Sequence, residues 1–161
     1  NKGTLIAPEW IKQCSLRGIP VIVDPKGDDF SKYKGATCLT PNEAEFEAVV
    51  GKVQAKEELL VKALELIKDL KLQYLLITRS DKGMILVDNG GKNFSFSAKA
   101  KTVTDVTGAG DTVVAVFSAL FAAGMQAEFC AEAANSAAGL VVSKFGTTSI
   151  ALAELERALV F

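Results

Sequence analysis

The chain has 161 residues, 49% of them hydrophobic, enough to bury one substantial core. Its formal net charge of -1, with acids and bases interspersed, argues against a nucleic-acid surface, and no apolar run is long enough to span a membrane. Histidine is absent, so these residues build no Ser-His-Asp or Cys-His triad. The scattered Cys14, Cys38 and Cys130 form neither a disulfide framework nor a metal-binding pair, and read as buried thiols of a cytoplasmic protein.

The chain opens at Asn1 without a signal-like segment and enters a helix with no strand before it. In a protein of alternating strands and helices, that reads as a cut within a domain. Pro8 in a first turn, then Trp10, Ile11 and Cys14, with a stop at Gly18, predict a short amphipathic helix. Residues 19–23 are apolar and β-branched, as expected of a strand covered on both faces, and end in a polar loop, residues 24–29. Residues 36–39 predict another short strand. Thr40 is then expected to cap a helix, with Pro41 at its first position and Glu43 completing a capping box. Residues 55–70 predict a strong helix whose apolar stripe is Leu59, Leu60, Ala63, Leu64, Ile67 and Leu70; its charged residues read as a solvated face.

Residues 74–78 predict a buried strand, and residues 84–87 and 93–98 a hairpin around Asp88-Asn89-Gly90-Gly91. In its second arm Phe94, Phe96 and Ala98 alternate with Asn93, Ser95 and Ser97, so one face meets water. A further β-rich stretch covers residues 101–104. After a turn containing Gly108 come two helices that part near Gly124 and Met125, then a last helix from Ala151. The alternation predicts an α/β fold, a mostly parallel sheet flanked by helices, with residues 1–161 forming a single partial domain.

The stretch that organises the chain is residues 103–112, where Gly108, Ala109 and Gly110 precede Asp111. A glycine-rich turn opening a helix leaves backbone N–H groups unpaired beside the positive end of the helix dipole, a ready anion site. Asp111 at its edge could accept a proton from an attacking hydroxyl; the plainer reading is that Asp111 only caps a helix. Four polar clusters, residues 24–27, 40–45, 78–83 and 105–111, each follow the carboxyl end of a predicted strand. Ligands of open α/β sheets bind outside those ends, so the pattern favours a phosphate-handling site over ordinary loops.

Residues 105–112 resemble the second signature of the PfkB (ribokinase-like) carbohydrate kinases, and residues 40–45 are similar to that family's Asn-x-x-Glu element. Asp24-Pro25-Lys26-Gly27, Phe30, residues 33–37 and residues 39–47 resemble the heptose 7-phosphate kinase branch, and Thr78-Arg79-Ser80 and residues 134–139 fit the same branch. The resemblance covers nearly the whole chain and the C-terminal half of the family's kinase domain. It implies Asp111 as catalytic base and the amides of Gly108, Ala109 and Gly110 as the anion hole. It also implies that Asn42 and Glu45, with Glu43 and Ala44 beside them, organise Mg2+, its waters and the ATP phosphates. Thr78, Arg79, Ser80 and Gly83 fall on the nucleotide loop, and Asn135 and Gly139 on the helix lining the adenine pocket. Asp105, Gly146 and Ser149 resemble a monovalent-cation (K+) site. Judged without the family, Asn42 and Glu45 would serve the helix dipole, and Asn135 would be a polar residue on a tolerant helix face. For Lys26 two readings stand, a phosphate contact or an ion pair with Asp28 or Asp29.

The resemblance therefore implies ATP-dependent phosphorylation of D-glycero-β-D-manno-heptose 7-phosphate at O1, giving the 1,7-bisphosphate for ADP-heptose and lipopolysaccharide core synthesis. The alternatives are another PfkB sugar or sugar-phosphate kinase and, from a different class, a nucleotide-binding fragment without turnover. A dinucleotide oxidoreductase is disfavoured, because residues 107–111 are not a Gly-x-Gly-x-x-Gly after a first strand. The expected partners are ATP and a sugar phosphate, with no nucleic acid or membrane, and a homodimeric intact enzyme. Residues 1–161 alone are expected to be inactive.

Overall fold

The computed structural model describes residues 7–100 and 103–159. They form two compact units, one running to Ile77 and including Val87–Asn93, the other comprising Thr78–Leu86 and the chain from Phe94. Five strands make one sheet in the order β1 (Ile22–Val23), β2 (Cys38–Leu39), β3 (Tyr74–Thr78), β4 (Met84–Asp88), β5 (Asn93–Phe96). The expected α/β fold stands: β1 pairs with β2, and β2 with β3, in parallel, in the registers Ile22 to Cys38 and Cys38 to Tyr74. No helix among the described residues is long and apolar enough to cross a membrane.

In the first unit, α1 (Ala7–Leu16) stops at Gly18, whose φ of 67° suits a residue without a Cβ. Strand β1 is shorter than expected and only half-buried, and Ile19 is 50% exposed. The reason is position: β1 stands at the end of the strand order, paired on one side only among the described residues. Its approach is pinned by Thr37, whose Oγ1 accepts from the Val21 amide at 2.9 Å. Strands β2 and β3 are the buried ones, with Cys38, Leu39, Leu75, Leu76 and Ile77 all fully covered. Burial pushes the Cys38 thiol far above its ordinary pKa, so it is an inert core group.

The next helix, α2 (Glu43–Val50), begins two residues later than the capping signal suggested. Thr40 is not the cap. Its amide and hydroxyl both donate to the Val23 carbonyl, at 2.9 and 3.3 Å, which binds it into the sheet. Capping falls to Asn42. Helix α3 (Lys56–Leu70) buries Leu59, Ala63, Leu66, Ile67 and Leu70; Leu60 and Leu64 lie at the margin of the stripe, and Leu66 belongs inside it.

The turn between β4 and β5 is held by Asp88, whose Oδ1 accepts from the amides of Gly90 (2.9 Å) and Lys92 (2.8 Å). Strand β5 ends at Phe96, two residues short of expectation, because the Ser97 carbonyl turns to accept from the side chain of Asn135. Of the β-rich stretch at 101–104, Lys101 and Thr102 lie outside the described residues. Val103 and Thr104 are not strand; the Thr104 amide donates to the Val142 carbonyl at 2.7 Å. In the second unit, α4 (Ala109–Ala122) packs along α5 (Ala127–Val142), which in turn meets α6 (Leu152–Leu159). On these two helices Val113, Phe117, Cys130, Ala131 and Ala134 are buried, and the small residues of α5 suit a close helix approach.

Two glycines with similar positive φ differ in what surrounds them. Gly83 has φ 82°, and an added Cβ would run into the Phe96 carbonyl and the backbone of Ser97 and Ala98. Gly124, φ 85°, has nothing within 4 Å. Gly124→Ala should therefore lose only the left-handed strain of about 1–2 kcal/mol, while Gly83→Ala should lose at least about 3 kcal/mol, as severe backbone clashes do. Equal losses in urea melts would contradict the backbone crossing at Gly83.

Candidate active site

In the first unit, the loops after β1 and β2 gather one cation and two carboxylates. Asn42 caps α2 by accepting from the Glu45 amide at 2.9 Å, and Glu45 Oε2 accepts from the Asn42 amide at 2.9 Å. The spacing Asn42-x-x-Glu45 thus closes a capping box, which fixes both side chains at the carboxyl end of β2. Glu45 Oε1 accepts from Lys26 Nζ at 3.0 Å, and the same ammonium lies 3.0 Å from Asp24 Oδ2. Lys26 is therefore paired, though not with Asp28 or Asp29; Asp29 instead accepts from the Ser31 amide at 2.8 Å. Partial burial opposes the Lys26 charge, but hydrogen bonds to Asp24 and Glu45 and their attraction win, so its pKa is raised above the ordinary 10.5. Glu43 opens α2 half-buried, and Ala44 is exposed.

No three His, Cys, Asp or Glu side chains converge on one point among the described residues. Each Glu45 oxygen has one donor and keeps lone-pair capacity for a further one. That donor set fits Mg2+ in the way this small, reluctantly dehydrated ion is usually held, through its waters and substrate phosphates.

In the second unit, the turn before α4 is tied at both ends. Asp105 Oδ1 accepts from the Thr107 amide at 2.9 Å and Oδ2 from the Gly146 amide at 3.1 Å. Gly108 is the N-cap in a left-handed conformation (φ 80°, ψ 1°), and the Thr112 amide and hydroxyl both donate to its carbonyl at 2.9 Å. The Ala109 amide is occupied by the Val106 carbonyl at 3.2 Å. The amides of Gly108, Gly110 and Asp111 meet no acceptor among the described residues, so the first turn offers the Asp111 amide where Ala109 was expected. The Asp111 carboxylate is exposed and has no hydrogen bond or ion pair among the described residues. It does not cap the helix.

Thr78 ends β3, and residues 79–83 close a tight loop in which the Arg79 amide donates to the Gly83 carbonyl at 2.8 Å. Ser80 there has φ 50°, a left-handed conformation costly outside glycine, of the kind that collects at ligand loops. Asn135 is not on a tolerant surface: it is 3% exposed, and its Nδ2 donates to the Ser97 carbonyl at 2.8 Å. One turn on, an added Cβ at Gly139 would sit 3.1 Å from Lys99 Cβ, so this face of α5 is the bed on which residues 97–100 lie. Gly146 is joined to Asp105, whereas the Ser149 carbonyl accepts from the Thr148 hydroxyl at 3.5 Å. Sequence reasoning gave Asp24 no role and did not foresee its sharing of Lys26 with Glu45; the signal was an acid two residues before a lysine at a strand end.

Residues 5–154 match the pfkB family carbohydrate kinases. The chain belongs to that family. Among its pfkB relatives, the Bifunctional protein HldE of Aeromonas hydrophila subsp. hydrophila is 51% identical over 160 residues, 99% of this chain and 34% of that protein. The protein of the same name from Alcanivorax borkumensis is 52% identical over 158 residues, 98% of this chain and 33% of that protein. The chain thus spans about a third of the length of the curated relatives it matches. The structure of Arabidopsis thaliana ribokinase complexed with ribose and ATP superimposes with a TM-score of 0.88 at 29% identity, covering 97% of this chain and 52% of that one. The ribokinase-like fold expected from the pfkB motifs is the fold observed.

The Asp105 clamp carries a pH signature. Hydrogen bonds from Thr107 and then Gly146 lower its pKa from the ordinary 3.8. A depressed folded value means that stability is present above the unfolded pKa and is lost as pH falls through the folded one. The stability difference between wild type and Asp105→Asn should be level above about pH 5 and shrink below pH 3.8. Acid-series urea melts check this; a difference that persists unchanged to low pH would rule out the clamp as its source.

Proposed function

We propose that the protein carrying this chain is an ATP-dependent kinase that phosphorylates O1 of a heptose 7-phosphate, consistent with its membership of the pfkB family and its likeness to HldE proteins. The observation that carries the reading is the uncommitted Asp111 carboxylate in the first turn of α4, beside amides of the same turn that also lack acceptors. Phosphoryl transfer asks for little covalent chemistry from a protein; it asks for a base, donors for the phosphoryl oxygens, and positioning. Asp111 takes the proton of the attacking sugar hydroxyl. The amides of Gly108, Gly110 and Asp111 hold charge that develops on the transferred group. ATP is the donor of that group; Glu45 and Asn42 would hold Mg2+ through its waters, where the ion would neutralise charge on the phosphates, and Thr78, Arg79, Ser80 and Gly83, with the α5 face at Asn135 and Gly139, receive the nucleoside end. Asp105 and Gly146 keep the turn before α4 in shape, and with Ser149 would form the monovalent-cation (K+) site. In this reading residues 1–161 are one part of a single kinase domain, cytoplasmic and homodimeric in the intact enzyme.

Two outcomes follow for the protein that carries this chain. Asp111→Asn keeps size and most hydrogen bonding but cannot accept the proton, so kcat should fall about 10²–10⁴-fold with ATP affinity retained. The assay is ADP release dependent on heptose 7-phosphate, run beside other sugar phosphates. Near wild-type kcat in the variant would remove Asp111 from the chemistry, and turnover with a different sugar alone would move the substrate assignment to another branch of the family. Glu45→Gln keeps the cap but weakens the hold on the ion's waters, so the magnesium needed for half-maximal rate should rise several-fold while the sugar KM stays. An unchanged magnesium requirement would leave Glu45 with its capping role only.

A further inference from the structure

Lys26 is built into its place more firmly than a loop lysine needs to be. Its amide donates to Tyr33 Oη at 3.1 Å, and Tyr33 is buried; its carbonyl accepts from Lys32 Nζ at 3.0 Å. Pro25 before it is buried too. The main chain is thus fixed on both sides while the side chain stays 67% exposed, free to swing. From that base the ammonium reaches Asp24 Oδ2 and Glu45 Oε1, 3.0 Å each, and it is the one cation seen bridging the two carboxylates among the described residues. Glu45 cannot turn away to relieve repulsion, because its other oxygen is held by the Asn42 amide.

We infer that Lys26 is a positioning residue that stands between Asp24 and Glu45 as an internal counter-ion and so makes divalent-ion binding conditional on nucleotide. Two carboxylates drawn together on one cation are a natural site for another, and an ammonium held there by two 3.0 Å contacts must be displaced before a hydrated metal ion can take its place between them. Nucleotide phosphates provide what a bare ion does not: an anion to receive the released ammonium. The free protein is thereby spared from binding the ion unproductively, and the carboxylates keep their geometry while they wait. The inference rests on the kinase reading only in naming nucleotide phosphates as the group that releases Lys26; the carboxylate pair and its counter-ion are features of the first unit by itself.

The test uses the full-length protein and Mn2+ alone, titrated by electron paramagnetic resonance without nucleotide. Wild type should bind Mn2+ only weakly. Lys26→Met, which keeps the length of the side chain and removes the charge, should bind about one Mn2+ at least about tenfold more tightly, as expected when a charge partner is lost from a carboxylate pair. Lys26→Gln should do the same if Lys26→Met folds poorly by thermal melt, Lys26→Arg should behave as wild type, and adding Glu45→Gln to Lys26→Met should abolish the gain. Tight Mn2+ binding by wild type without nucleotide, an unchanged titration in both neutral variants, or a gain that survives Glu45→Gln would each overturn the inference. In turnover, the neutral variants should raise KM for the magnesium–nucleotide complex more than they lower kcat, a split that a merely structural lysine would not produce. If the Mn2+ result holds while no sugar phosphate elicits ADP release, the kinase reading fails and the counter-ion role stands.

Discussion

Complete burial of β2 and of the middle of β3 is the constraint from which the first unit follows. Cys38, Leu39, Leu75, Leu76 and Ile77 have no contact with solvent, so their peptide groups must pair with neighbouring strands, and β2 does so in parallel with β1 and with β3. Parallel strands force long returns through helices, and α2 and α3, the latter burying Leu59, Ala63 and Ile67, make the return from β2 to β3. The same geometry sends the carboxyl ends of β1 and β2 out on one side. Polar residues are possible there because the buried core stops there: Thr40, still 4% exposed, is tied to Val23, and Asn42 caps the helix beyond.

The carboxylates of the chain divide by what they already hold. Asp88, Asp105 and Glu45 each accept from backbone amides and so shape a turn or a helix start. Asp111 accepts from nothing among the described residues, although it sits in the first turn of a helix where an acid commonly serves as part of a cap. A left-handed glycine has taken the capping position, and the Asp105 clamp holds the approach to it, so the helix start is stable without Asp111. A free carboxylate supported by structural ones is what the proposed proton abstraction would use.

Much of this was legible before any coordinates. Strand β3 and the hairpin turn were set by apolar runs bounded by glycine and polar residues, and the helices by their stripes, because burial and turn chemistry act over a few neighbouring residues. Where the reading slipped, a partner distant in sequence had intervened. Thr40 reads as a cap until Val23, 17 residues earlier, claims its amide and hydroxyl. Residues 97 and 98 read as strand until Asn135, 38 residues after Ser97, takes the Ser97 carbonyl.

The sequence by itself determined the α/β class and most of its elements in order, and it placed the glycine turn and the Asn42-x-x-Glu45 spacing at helix starts, since each is a matter of local pattern. Only the tertiary structure decided what those residues do with their hydrogen bonds. It assigned Lys26 to Asp24 and Glu45, buried Asn135 against residues 97–100, spent the Ala109 amide on Val106, and left Asp111 uncommitted. Periodicity reports which face of an element is apolar. It carries no record of which loops meet at a strand end, and it is there that a charged side chain finds its partner or is left without one.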